Sequence, residues 1–204
     1  WLGTSFFVWL AHRAIQGRSA SHRLALVSQA VEKVEEAQSV FRAIREARAN
    51  PARRGAPLAW SDTPAGEDAL KDDVRALLNI IEVQSPFFDS VKELQKSLQK
   101  ILPEESYSPL SEILQIRRDL WASAEIILVD DLKTLGPDFV DPEKYDAFRK
   151  EAQSLLFGSI SLHEEVEDPV EIRLAVALDD ARRLLAAVDE KIQTEAAKRE
   201  LPKP

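Results

Sequence analysis

A chain of 204 residues with 45% hydrophobic and 30% charged side chains is long enough for one sizeable domain, and that composition excludes global disorder. The absence of cysteine excludes disulfides, thiolate metal sites and thiol nucleophiles, and it suits a reducing compartment. The net charge of −8 is uneven: residues 1–56 carry nine basic side chains against four acidic ones, and the rest carry 18 against 31, an acidic body that argues against a nucleic-acid partner.

Trp1 to Ala11 carry no charge and include Trp1, Phe6, Phe7 and Trp9. As a helix they cover about 17 Å of a hydrocarbon core about 30 Å thick, so they cross it only with an upstream extension. The chain has no methionine and opens at Trp1, and such an extension is expected. His12, Arg13, Arg18, His22 and Arg23 follow, with no acid before Glu32. Basic residues after an apolar run mark the cytoplasmic side, and Trp favours the interface. Residues 1–12 are therefore expected to end a transmembrane helix, with Trp1, Phe6, Phe7, Trp9, Arg13, Arg18 and Arg23 contacting the membrane and the main domain cytoplasmic. The alternative is an amphipathic or buried helix end. A signal-peptide remnant fits poorly, because its basic residues would precede the apolar run.

Residues 13–50 form a basic juxtamembrane and heptad-patterned segment. No glycine or proline interrupts Arg18 to Asn50, and Val27, Ala30, Val34, Ala37, Phe41 and Ile44 alternate at three- and four-residue steps. That seam demands a partner helix. Asn50-Pro51 is the expected stop, and Gly17 the weakest point. Residues 51–66, with three prolines and two glycines, read as a linker in which Trp60 tucks against the body.

The helical domain is expected over 67–200. Thr63, Ser85, Ser108, Asp141 and Asp168 each precede a proline, pairing a capping oxygen with a residue suited to the first helical turn. Asp168 and Glu171 also have capping-box spacing. Helices are predicted near 66–84, 86–102, 109–135, 142–158 and 169–199. Segment 86–102 carries the one-sided stripe Phe87, Val91, Leu94, Leu98 and Ile101. Segment 109–135 is apolar on more than one side, through Ile113, Leu120, Ala124, Ile127 and Leu128 against Ile116, Ile126 and Val129. It is read as the central helix, with Trp121 belonging to it. Leu178, Ala181, Leu185, Val188 and Ile192 repeat heptad spacing in the last helix, which is expected to pair with the N-terminal helix or to dimerise.

No chemical constellation stands out. His163 and Glu167 lie in an acidic connector, and two ligands define no zinc or iron site. Asp131 to Pro142 fails as a calcium loop, since Lys133 and Leu135 occupy ligand positions and Pro142 replaces the final Glu. GxGxxG, GxxxxGK[ST] and GxSxG are absent. Glu125, on the most apolar helix, is read as a boundary carboxylate reaching water or an arginine. Arg42, Arg45, Arg48, Arg53 and Arg54 are read as solvated charges, with an acidic partner or this chain's own acidic half as the alternative.

The sequence thus predicts an all-α, multi-helix bundle whose long N-terminal helix continues from a membrane segment. No cofactor, metal or catalytic residue is assigned. The expected function is that of a membrane-anchored interaction or scaffold module, or a subunit of a membrane complex. Its partners would be lipid at the N-terminus and a protein, or a second copy, at Val27, Val34, Phe41, Ile44, Leu178, Leu185, Val188 and Ile192. The alternative is an enzyme or ligand-binding bundle with a dispersed site around Glu125 or Trp121.

Overall fold

The computed structural model describes residues 2–49, 64–102, 108–129, 141–158 and 168–200, with the backbone alone for residues 2–19, 64, 142, 199 and 200. Helices α1 (Leu2–Arg45), α2 (Pro64–Val83), α3 (Ser85–Gln99), α4 (Ser108–Leu128), α5 (Pro142–Phe157) and α6 (Pro169–Glu200) account for these residues, which contain no strand. The chain is an all-α helical bundle.

Each helix buries the stripe its sequence spacing dictates. Leu70, Val74, Leu77 and Ile81 of α2 recur at helical intervals and are buried, as are Phe87, Val91, Leu94 and Leu98 of α3. Helix α4 buries Leu110, Ile113, Ile116, Leu120, Ala124 and Ile127 along one arc of about 120°, widened by Leu114 and Ser123 to about 180°, so Ile116 shares the face of Ile113 and Leu120 rather than pointing elsewhere. It packs against all five other helices. Phe88 anchors the α1–α3 contact, with ring centroids 5.7 Å from Phe41 and 5.2 Å from Phe87, while the Arg117 guanidinium of α4 lies 4.7 Å above its ring.

The two heptad-spaced helices, α1 and α6, form the most extensive helix pair. They run antiparallel, because Arg45 meets Asp168 while Glu35, further back on α1, meets Arg182, further along α6. Val27, Ala30, Val34, Ala37, Phe41 and Ile44 face inward opposite Leu174, Ala177 and Ala181.

Several boundaries differ from those the sequence predicts. Helix α1 runs unbroken through Gly17 and ends at Arg45 rather than at Asn50-Pro51. Arg48 folds back so that its Nη1 donates to the carbonyls of Arg45 (2.8 Å) and Ala47 (2.6 Å), and the Ala49 amide donates to Asp73 Oδ1 at 2.9 Å. Side chains thus satisfy backbone groups that a further helical turn would have used. Helix α2 starts at Pro64, inside the predicted linker, and α4 ends at Leu128, short of residue 135. Ser85 does not cap α3, because the single residue Gln84 joins α2 to α3 and its carbonyl accepts from the amides of Phe87 and Phe88. Ser108 is likewise the first helical residue of α4. Asp141 does cap α5, accepting from the Glu143 amide at 3.1 Å.

Among the described residues no helix is long and apolar enough to cross a membrane. The expected continuation of α1 from a membrane helix therefore has no support in them. Within the 44 residues of α1, the apolar opening gives way after Ala11 to charged side chains that a hydrocarbon core would not accept.

Candidate functional site

Two places combine polar groups with shape. The first is the junction where the end of α1, the end of α5 and the start of α6 converge. Asp168 caps α6: its Oδ1 accepts from the amides of Val170 (2.9 Å) and Glu171 (3.3 Å). Its Oδ2 accepts from Arg45 Nη1 in an ion pair whose arginine is buried. Arg45 Nη2 also reaches the Ser154 carbonyl of α5 at 3.5 Å. One guanidinium therefore ties three helices together.

Gly158 closes the same junction. Its φ of 87° and ψ of 179° fall in a region essentially reserved for glycine. A Cβ there would stand 3.0 Å from Arg45 Nη2 and 3.2 Å from Asp168 Oδ2, so a side chain would press on the ion pair. Arg48, also buried, stacks 4.6 Å from the Phe157 ring centroid. Beside the junction a cavity of about 240 Å³ is lined by Gln38, Arg42, Arg45, Val170, Glu171 and Leu174, among others. Asp168 and Glu171 balance its arginines, so the cavity presents no excess of one charge.

The second place is a groove of about 710 Å³ along the outer face of the α1–α6 pair. Ser21, Leu24, Ala25 and Ser28 form one wall, and Arg182, Leu185, Ala186 and Asp189 form the other. Both walls repeat one spacing, i, i+3, i+4, i+7, which is a single helix stripe. At 100° per residue the α1 stripe points roughly 130° away from the buried Val27, Val34 and Phe41, and the α6 stripe roughly 100° away from the buried Leu174, Ala177 and Ala181. The groove therefore opens away from the bundle.

Other interhelical ion pairs are structural. Arg173 of α6 bridges Glu112 and Asp119 of α4, the latter at 2.8 Å. Burial alone would lower the Arg173 pKa, but its two carboxylate partners outweigh that and raise it. Arg149 of α5 pairs with Glu67 of α2. Burial pushes the Tyr145 phenol up, against a smaller downward pull from Arg149, and its hydroxyl donates to the Ile126 carbonyl at 3.4 Å.

The residues singled out from sequence fall as follows. Val27, Val34, Phe41 and Ile44 are buried, and Leu178, Leu185 and Val188 are partly buried against the core. Ile192 is half-buried and Arg23 exposed. Phe6, Phe7, Trp9, Arg13 and Arg18 lie on α1 with side chains outside the described residues, and Trp1, Arg53, Arg54, Trp60, His163 and residues 130–140 lie outside the described residues altogether. Arg45 and Arg48 are buried rather than solvated, because the chain's own carboxylate and carbonyls receive them. Arg42 is exposed. Trp121 is exposed on the rim of α4, not packed in the core, and its Nε1 donates to the exposed Glu125 at 3.2 Å. These two build no enclosed site.

Sequence reasoning missed Asp73, which is 1% exposed. An acid amid the apolar series Leu70, Val74 and Leu77 was the available signal. Among the described residues no group of three or more His, Asp or Glu side chains could hold a metal ion. No protein-family model, no curated protein and no solved structure matches the chain.

Proposed function

We propose that this chain is a helical interaction module, anchored at a membrane through its N-terminal residues, with its bulk on the cytoplasmic side. The observation that carries this reading is the double character of α1. Its second half, from Leu26 to Ile44, is built into the bundle core. Its opening residues are uncharged and aromatic-rich, followed by Arg13, Arg18 and Arg23. A continuous helix of 44 residues, about 66 Å long, would link lipid to the folded body. Basic side chains beyond the apolar run suit an anionic leaflet, and aromatic residues suit the interface. The α1–α6 pair, with Leu24, Leu185 and Val188 only half-covered, supplies a surface for a protein partner.

Co-sedimentation with vesicles of mixed zwitterionic and anionic phospholipid tests the anchor. The full chain is expected in the lipid pellet, and a chain lacking residues 1–12 in the supernatant. A shortened chain that still pellets, or a full chain that does not, overturns the anchored reading.

A further inference from the structure

Resting on the interaction reading above, we infer that the occupant of the α1–α6 groove is a second copy of the same groove. Two antiparallel helix pairs would pack face to face into a four-helix layer. The inference comes from the order of residues along the groove wall. On α6 the stripe reads Arg182, Leu185, Ala186, Asp189, with opposite charges at its two ends and apolar residues at its centre.

A two-fold axis across the helices, between Leu185 and Ala186, sets α6 antiparallel against α6 of the second copy and α1 antiparallel against its α1. The two N-termini therefore point to opposite ends, and the contact joins copies on facing membranes or free in solution, not neighbours on one membrane. The axis carries each residue to the mirror position in the stripe. Arg182 then faces the partner's Asp189, Asp189 faces the partner's Arg182, and Leu185 faces the partner's Ala186, large against small. The opposite wall obeys the same operation, because Ser21, Leu24, Ala25 and Ser28 are symmetric about their own midpoint. Small or hydroxyl groups at three of those four positions let the α1 helices approach closely. Two walls that are self-complementary under one axis are what an isologous dimer requires. Helix pairs with short crossings of this kind build four-helix bundles.

The charges are available for this use. Arg182 engages Glu35 through Nη2 alone, at 2.7 Å, and a guanidinium carries five donors. Asp189 accepts from Gln193 on its own helix at 2.8 Å, and a carboxylate has room for further bonds. The orientation of the groove, away from the buried stripe of α1, keeps the body of one copy clear of the contact.

Sedimentation equilibrium of the full chain across micromolar concentrations is the test, with charge exchange as its discriminating arm. The wild type is expected to dimerise. Arg182→Asp and Asp189→Arg each place like charges at both symmetric contacts and should weaken association by about tenfold to thirtyfold. The double exchange R182D/D189R regenerates both opposite-charge contacts and should restore most of the affinity. Glu35→Gln, which removes only the intramolecular partner of Arg182, should leave the dimer intact. Circular dichroism confirms that each variant remains helical. A wild-type monomer throughout, or a dimer indifferent to both single exchanges, overturns the inference, as does a double exchange weaker than either single one. A monomer that still pellets with vesicles separates failure of the dimer from failure of the anchored reading.

Discussion

Replacing Asp168 by asparagine isolates the charge that holds the bundle's end together. Asparagine keeps an oxygen for the amides of Val170 and Glu171, so the cap of α6 survives. It leaves the Arg45 guanidinium, 9% exposed, without its counter-charge. Removing one partner of a fully buried pair costs about 3–5 kcal/mol. Because the Asp168 side chain keeps 23% exposure, solvent offsets part of that, and the expected loss is about 2 kcal/mol. Asp168→Ala removes the cap as well and adds about 1 kcal/mol. Arg45→Met leaves a carboxylate that still accepts two amides at a helix N-terminus, so it should cost less, about 1 kcal/mol. Urea unfolding at neutral pH, followed by far-ultraviolet circular dichroism, ranks the three through their midpoints. The reasoning fails if Asp168→Asn falls within about 0.5 kcal/mol of wild type, or if Arg45→Met proves the most damaging.

Phe88 packs against Phe41 and Phe87 and under Arg117, so Phe88→Ala should cost about 3–5 kcal/mol in the same unfolding experiment. Tyr145 gives a pH dependence of defined sign. Its folded-state pKa is raised by burial, so above about pH 10 the unfolded chain ionises first and stability falls as pH rises further. Tyr145→Phe should flatten the unfolding free energy over that alkaline window, and an unchanged slope would refute the assignment.

Helix class was legible because proline and its preceding polar residue punctuate the chain before Pro64, Pro86, Pro109, Pro142 and Pro169, and each helix begins within a residue or two of that mark. The apolar richness of segment 109–135 likewise announced a buried helix, whereas its contacts with all five other helices follow from the packing. Helix ends were less legible. The stop of α1 depends on Arg48 and Asp73 reaching backbone groups, and α2 passes into α3 through Gln84 without the cap that Ser85-Pro86 suggested.

Local rules of period, capping and hydropathy act over a few residues, and they determined which segments are helical and which stripe each buries. The tertiary structure alone decided that the two heptad stripes pair with each other in antiparallel order, that Arg45 meets a carboxylate 123 positions away, and that Trp121 stands at the rim. Those outcomes are set by which distant groups the packed helices bring together. Charge and side-chain hydrogen bonding act across space, so no window of neighbouring residues contains them.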